Sequence, residues 1–501
     1  MGSTTLGCLV AGLPGHGIGG GWEQAAVLDV VIDSRTVRPG SLFVALPGHH
    51  SHGALHIGQA VAAGAAAVLV PEDWAAQVPP GVAGFASPHI TRALAIASAR
   101  LYRNPGSVLR LSAVTGTNGK TTVVTLLAHI LRTAGFATVY WSTAFINDGH
   151  MTTRPRYTTP PAPELHRFLA EAAARGNTDA VVEVSSHALV LDRVYGLDFA
   201  VAAVTNLSPD HLDFHGSLAA YARAKRILVE ALSPDATAVL NADDPVVSAY
   251  RLHTRARVLT FGFASADIWA AIDALSPTES RFHLCLPDDP PQLVRMQLPG
   301  RHNVANAMAA AGLAIGLGIP SSVIHSAIES FQAPVRRLEA DRIGPYTVIN
   351  DVAMNRASYE AVMGAMRDAE PDRLVVVNAI RGNRGVEVNR DIAEILALWS
   401  RRFTRSFAPL VVTTSDRHAA AFPDDYRVRP EELQAFLAMA AERDLPCEVF
   451  RELPDALDHA IDRLQGGGTL LLLGTFGMDD GPALAIAKLE DRLLGLGDTR
   501  P

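Results

Sequence analysis

The sequence predicts a three-domain α/β protein: a small α/β N-terminal unit, a central unit with a parallel sheet, and a C-terminal doubly wound unit. Three observations predict it. The stretch "VTGTNGKTT" (Val114–Thr122) stands between an apolar run, "VLRLSA", and a periodic one, "VVTLLAHIL", which is the pattern of a strand, a glycine turn and a helix. The runs "DAVVEVS" (Asp179–Ser185) and "FAVAAVTNL" (Phe199–Leu207) are continuously apolar, as parallel strands covered on both faces are. At 501 residues the chain has room for roughly two to four domains, and breaks at "YRNPGSV" (Tyr102–Val108) and Ala333-Pro334 divide it into 1–105, 106–333 and 334–501.

In the first block, "VVIDSRTVRPGSLFVALPG" (Val30–Gly48) is two apolar segments split by a Pro39-Gly40 turn. "HIGQAVAAGAAAVLV" (His56–Val70) predicts a helix running into a short strand. In the central block, "PGRHNVANAMAAAGLAIGLGI" (Pro299–Ile319) predicts a loop opening a helix. In the third, "YTVIND", "DRLVVVNAI", "PLVVTTSD" and "GTLLLLGTF" are strand-like with helical stretches between them. That alternation predicts a Rossmann-like doubly wound sheet with its site at the carboxyl ends of the strands.

Composition narrows the function classes. A net charge of −8 disfavours nucleic-acid and anionic-membrane partners. Cys8, Cys285 and Cys447 are far apart and form no CxxC pair, which argues against a disulfide framework or a zinc ribbon and fits a reducing compartment. No apolar run reaches the roughly 18 residues of a membrane span. The N-terminal apolar patch lacks a basic region, so neither a signal peptide nor lipid attachment at Cys8 is expected. The expectation is a soluble cytoplasmic protein.

The glycine stretch departs from the strict phosphate-loop pattern, because Val114 stands where the first glycine belongs. Gly116-Thr117-Asn118-Gly119-Lys120-Thr121-Thr122 remains, and its physics is intact. Glycines let backbone N–H groups turn onto phosphate oxygens, and the helix start adds a positive dipole end. Lys120 would neutralise the β- and γ-phosphates, and Thr121 offers a hydroxyl to Mg²⁺. The central block is therefore expected to be a P-loop ATPase domain.

Two segments end in polar residues just past a buried strand. "VVEVSSHALVLDRV" (Val181–Val194) carries Glu183, Ser185, Ser186, His187 and Arg193; "TNLSPDHLDFHGSLAAYARAKRIL" (Thr205–Leu228) carries Asp210, His211, Asp213, His215 and Lys225. A carboxylate inside an apolar strand costs several kcal/mol unless it is compensated. A bound cation and a structural ion pair compensate Glu183 equally well. His211 is open between a ligand and a structural hydrogen bond.

Taken together, "GTNGKTT", "EVSSHAL…DRV", "TNLSPDHLDFHGSLAAYARAK" and "GRHNVANAMAA" resemble the Mur ligases, ATP-dependent enzymes that add amino acids to the UDP-muramoyl peptide of the cell-wall precursor. "DSRTVRPGSLFVALPG" and "TTPPAPEL" (Thr158–Leu165) are similar to the branch of UDP-muramoyl-tripeptide synthetases. The resemblance is specific over residues 28–340 and only architectural beyond. It implies ATP held by Gly116–Thr122, Asn303, Arg337 and Asp351, and two Mg²⁺ ions. Thr121 and Glu183 match ligands of one ion and His211 a ligand of the second. Lys225 matches a lysine that the family carries as a carbamate. CO₂ addition turns an ammonium, which repels Mg²⁺, into a long carboxylate that hard cations accept. The competing reading of Lys225 is an ordinary helix lysine, since "YARAKRIL" is also a plain amphipathic pattern. Ser34, Thr158, Thr159, Ser185 and Arg193 match contacts to the UDP-sugar peptide. Catalysis is expected from Lys120, Glu183, His211 and Lys225. A carboxylate attacks the γ-phosphate to give an acyl phosphate and ADP; an amine then attacks the acyl carbon and phosphate leaves. A monomer is the family default.

The third block departs where the branch binds its amine. Instead of Asp-Tyr-Ala-His-Thr-Pro the chain has "NDVAMNRASYE" (Asn350–Glu360), with Val352 for the tyrosine and Met354 for the histidine. "IRGNRGVEVNRD" keeps only Gly382 and Arg384, and "TTSDRHAAAFPDDY" (Thr413–Tyr426) lacks the Asn, Pro and aligned Arg that hold diaminopimelate. "LLLLGTFGMDDG" lacks the branch's Gly-Lys-Gly-His-Glu pattern, and "GHHSHGALHI" has histidines in place of an Asp-Gly-His run. The expectation is an intact ATP engine with a changed amine, lined by Arg381, Arg384, Arg417 and Asp351. The alternatives are a ligase outside peptidoglycan, such as one of secondary metabolism, and a non-catalytic nucleotide-binding homologue. A folylpolyglutamate-type ligase lacks the first domain, and an amidating subunit normally carries a cysteine zinc cluster.

Overall fold

A computed structural model describes residues 4–48, 51–383, 385–403, 407–420 and 426–497. Four sheets are described: a two-stranded one that pairs Thr4–Thr5 with Ala26–Val27, and three larger ones, one in each third of the chain. The N-terminal sheet has spatial order His16–Ile18, Gly84–Ser87, Ala67–Pro71, Ser41–Val44, Asp29–Val31, and all but the first pair are parallel. Side chains alternate across a strand. Leu42 and Val44 therefore join a core under the helix Ile90–Leu101, while Phe43 joins a second core on the opposite face. Two covered faces explain the unbroken apolar runs. The expected alanine-rich helix is shorter than the sequence pattern, Ile57–Ala62, and the chain turns at Gly64 before the strand begins at Ala67.

The central sheet has eleven strands. Its heart is parallel, in the order Thr138–Trp141, Asp179–Glu183, Arg110–Thr115, Phe199–Val204, Thr237–Asn241, Arg257–Gly262. Both margins are antiparallel. Two short strands extend one side, and a meander of Ile268–Leu275, Ser280–Cys285 and Gln292–Met296 extends the other. The parallel expectation thus holds for the centre only. Val114, Val181, Val201 and Val239 pack under the helices Lys120–Thr133, Arg301–Gly316 and Ser321–Ser330. Their neighbours Ala113, Val182, Ala202 and Leu240 pack under Ala162–Ala174 and Leu218–Glu230.

The C-terminal sheet runs Arg337–Ile343, Tyr346–Asp351, Gly468–Leu473, Leu374–Ala379, Leu410–Thr413, Cys447–Phe450. Only the first pair is antiparallel. Val376 and Leu471 face one core, Val375 and Leu470 the other. At the junction with the central unit, Arg336 (φ 57°) and Leu338 (φ 51°) are left-handed. Arg336 is buried, with its guanidinium on Asn350, the Gly474 carbonyl and Asp479. Among the described residues no helix is long and apolar enough to cross a membrane.

One core residue is out of keeping with its surroundings. His166, in the helix Ala162–Ala174, is 1% exposed and neither ring nitrogen has a hydrogen-bond partner. Burial pushes its pKa down to about 4. Below about pH 6.5 the unfolded chain takes up a proton that the folded chain refuses, so stability falls between about pH 6.5 and 4. His166→Leu removes that penalty. Between pH 7 and pH 5 the variant should gain about 2 kcal/mol relative to the parent. Denaturant melts at the two pH values check this, and parallel losses in both proteins would refute it.

Candidate active site

The strand Arg110–Thr115 lies between Asp179–Glu183 and Phe199–Val204, where the chain order reverses, and the glycine loop leaves its carboxyl end. Ligands of open α/β sheets bind at that point. Gly116 (φ 144°) and Gly119 (φ 85°) have left-handed backbones that side chains avoid. Space demands glycine as well: a Cβ on Gly116 would stand 1.8 Å from Thr205 Oγ1, and one on Gly119 2.2 Å from Asn306 Oδ1.

The neighbouring strand end braces the loop. The Thr117 and Asn118 amides donate to the Asn206 carbonyl and Oδ1, each at 2.9 Å. The Asn118 carbonyl accepts from the Thr205 hydroxyl at 2.6 Å and Asn206 Nδ2 at 3.1 Å. Thr117 Oγ1 accepts from the Tyr221 hydroxyl at 3.2 Å. Thr122 is buried in the first turn of the helix Lys120–Thr133.

Two lysines enter this loop. Lys120 Nζ donates to the carbonyls of Gly116 (3.1 Å) and Thr117 (2.9 Å). Lys225 Nζ donates to the same Gly116 carbonyl at 2.7 Å and lies 4.4 Å from the centre of the Tyr221 ring. Lys225 is 1% exposed, so the reading of a solvated helix lysine fails. Burial first, then the charge of Lys120, holds its amine well below the ordinary lysine value. Burial also lowers Lys120, partly offset by Glu183 and Asp210. The whole chain has three lysines, Lys120, Lys225 and Lys488, against 43 lysines and arginines together. That scarcity was a usable sequence signal for Lys225.

Glu183 ends its strand 1% exposed. Its Oε2 accepts from the Thr121 hydroxyl and the Thr143 amide, both at 2.8 Å, and its Oε1 from the Thr143 hydroxyl at 2.7 Å. Lys120 Nζ is 4.0 Å away. Hydroxyls and an amide thus compensate the carboxylate, with the lysine at the limit of ion pairing. Sequence reasoning missed Thr143, whose only signal is its place just past the strand Thr138–Trp141. Thr158 Oγ1 lies 3.1 Å from Thr143 Oγ1. The buried Thr159 hydroxyl donates to the Glu183 carbonyl at 2.7 Å and accepts from the Ser185 amide at 2.9 Å. Arg193 donates to the Thr159 carbonyl at 2.7 Å.

His211 (φ 52°) packs edge-on against His187, which also contacts His215. Its Nε2 is 3.8 Å from Asp210 Oδ2. Among the described residues no three His, Cys, Asp or Glu side chains are grouped as a metal site. Ser34 belongs to the N-terminal unit, where its hydroxyl donates to Gln59 at 2.9 Å. Asn303 is buried and bound to Pro299 and Asn306; it reaches the loop only through Asn306, which abuts Gly119.

The C-terminal unit contributes Arg337, with Nη2 3.5 Å from Thr121 Oγ1. Asp351 accepts from the Leu338 amide at 3.0 Å, and burial raises its pKa to about 6. Arg381 donates to the Met354 carbonyl at 2.5 Å, whereas Arg417 is exposed. Arg384, His49, His50 and residues 421–425 lie outside the described residues.

Three family models match successive parts of the chain: "Mur ligase family, catalytic domain" over residues 29–100, "Mur ligase middle domain" over 114–314 and "Mur ligase, glutamate ligase domain" over 336–476. The UDP-N-acetylmuramoyl-L-alanyl-D-glutamate–2,6-diaminopimelate ligase of Chlorobium phaeobacteroides is 34% identical over 478 residues, 91% of this chain and 88% of the relative. That of Bacillus licheniformis is 35% identical over 383 residues, 75% of this chain and 78% of the relative. Among solved structures, a ligase of the same name superposes with TM-score 0.69 at 21% identity, covering 98% of this chain and 99% of the other. The MurF ligase of Thermotoga maritima in complex with ADP superposes with TM-score 0.62 at 18% identity, covering 93% and 98%. At those identities the superpositions speak for the fold.

Thr143 gives the site a direct test. Thr143→Val keeps the shape and the amide but takes the hydroxyl from Glu183 Oε1. Nucleotide-dependent phosphate release should fall about tenfold while the melting temperature moves by only a few degrees. Turnover within twofold of the parent would remove Thr143 from the site.

Proposed function

The chain belongs to the Mur ligase family, and on that premise we propose that it joins an amine to a carboxylate of the UDP-muramoyl-peptide class, at the expense of ATP and through an acyl phosphate. The observation that carries this reading is one braced loop that gathers Lys120, Thr121 and Lys225 next to the buried Glu183. A free carboxylate and an amine do not condense unaided, so the carboxylate is first phosphorylated. Lys120 and the helix start would take the charge of the transferring phosphoryl group. The domain limits 1–105, 106–333 and 334–501 assign carboxylate recognition, ATP chemistry and amine delivery to the three units. The enzyme is proposed to act as a cytoplasmic monomer on small molecules.

The donor set suits Mg²⁺, since the Thr121 hydroxyl and the Glu183 carboxylate are adjacent hard oxygens. Those two residues would hold one ion, and His211 with a carbamate on Lys225 the second. The ions would supply charge neutralisation of the phosphates. The low amine pKa of Lys225 supports the carbamate, because CO₂ combines with the uncharged amine. ¹³C-bicarbonate should therefore give one carbamate carbonyl resonance, absent in Lys225→Met. With only three lysines in the chain the assignment is direct, and an unchanged spectrum would exclude the carbamate.

The amine is proposed to differ from diaminopimelate. Past the strand Leu410–Thr413, where the branch holds that amino acid, Ser415 turns inward to the Gly477 carbonyl at 2.5 Å and Arg417 is exposed. The deciding experiment supplies UDP-muramoyl-L-Ala-D-Glu, ATP and Mg²⁺ with a panel of single amines and reads adducts by mass. An adduct with an amine other than diaminopimelate is expected. Efficient diaminopimelate addition would overturn the specificity claim, and nucleotide binding without turnover on any pair would overturn the ligase reading.

A further inference from the structure

Asn355 lies in the C-terminal unit, just past the strand Tyr346–Asp351, at the start of the helix Arg356–Ala369. It caps that helix. Its Oδ1 accepts from the Ser358 amide at 2.9 Å, and its own amide donates to Ser358 Oγ at 3.0 Å. The cap fixes the side chain with Oδ1 toward its own helix. Nδ2 is thereby aimed the other way, at the central unit.

There it meets two elements of the site at once. Asn355 Nδ2 donates to Asp210 Oδ2 at 2.9 Å. Its carboxamide also pairs with that of Asn118 in the phosphate loop, at 3.3 Å in one direction and 3.4 Å in the other. Both contacts are to anchored groups. Asn118 is braced at its amide and carbonyl by Asn206 and Thr205, and Asp210 Oδ1 accepts from the His211 amide at 2.9 Å. A further contact from this unit to the loop, Arg337 to Thr121, is a longer 3.5 Å.

A helix cap needs only an acceptor oxygen, which Ser and Asp provide as well as Asn. Donation to Asp210 needs the amide nitrogen in addition. The chain thus has at this position a side chain that accepts toward its own helix and donates across the domain boundary.

We propose that Asn355 is a positioning residue for the phosphoryl-transfer step: its carboxamide latches the C-terminal unit onto Asn118 and Asp210, so that the phosphate loop and the His211 segment are held in register only when that unit is closed. The proposal rests on the ligase reading for its kinetic consequence and on geometry alone for the latch.

The test uses the full chain. Asn355→Ser keeps an N-cap acceptor and loses the reach to Asp210. Asn355→Asp keeps the cap and sets a second carboxylate against Asp210. The double variant Asn355→Asp/Asp210→Asn exchanges donor and acceptor across the boundary. Three readouts are taken: melting temperature, kcat and KM for ATP in product formation, and the radius of gyration by small-angle scattering with ADP. The expected result for Asn355→Ser is a nearly unchanged melting temperature, a KM within about threefold and a kcat lower by roughly tenfold to a hundredfold, the scale of a hydrogen bond to a charged group. With ADP its radius of gyration should exceed the parent's. Asn355→Asp should be worse than Asn355→Ser, and the exchanged pair should recover most of the lost kcat and compactness, which a mere helix cap would not produce. A kcat for Asn355→Ser within twofold of the parent, or an exchanged pair no better than Asn355→Asp alone, overturns the proposal. If no substrate pair turns over, the ligase reading fails by itself; the scattering series, with its rescue present or absent, still decides the latch.

Discussion

One carbonyl oxygen, that of Gly116, accepts hydrogen bonds from two lysine side chains. Two ammonium ions that close and that buried would repel each other strongly and lose their water as well. Burial and the neighbouring charge of Lys120 hold the amine of Lys225, the more deeply buried, well below the ordinary lysine value, which eases that repulsion. The two side chains thus share a single anchor in different surroundings. Lys120 lies 4.0 Å from Glu183, and Lys225 lies against the Tyr221 ring.

The rest of the architecture serves that anchor. Parallel strands end side by side, so residues distant in sequence arrive together without long excursions of the chain. Thr143, Glu183, Gly116 and Thr205 each stand at or just past the carboxyl end of a neighbouring strand. Glycine at 116 and 119 lets the loop pass close enough for Thr205 and Asn306 to brace it. The braces take up the Thr117 and Asn118 amides and the Asn118 carbonyl, and Lys120 takes up the Gly116 and Thr117 carbonyls, which leaves the helix start to meet a ligand.

Legibility followed the range of the interactions. The strand, loop and helix around Lys120 were plain in the sequence because each is encoded by neighbours. So were the buried parallel strands and the four parallel C-terminal strands named from their runs. Lys225 was ambiguous, since "YARAKRIL" has the same periodicity whether its lysine meets solvent or a carbonyl 109 residues away. Thr143 and Asn355 were invisible for the same reason, as their partners lie across the sheet and across a domain boundary. The meander of 268–296 escaped because its strands are only partly buried and carry polar residues between their apolar ones. The early helix was overextended because alanine favours helices strongly, and Gly64 ends the element regardless.

The use of arginine for nearly every positive charge has a practical corollary. Of the three side-chain amines two are locked into the phosphate loop, and Lys488, in the helix Gly481–Gly497, is left at the surface beside Asp458 at 2.5 Å. Acylating dyes discriminate between amines by access, so on the intact protein they would mark essentially one side chain. That side chain rides on the last helix of the C-terminal unit. A fluorophore coupled there would turn every swing of that unit into an optical signal, with no residue of the natural chain exchanged.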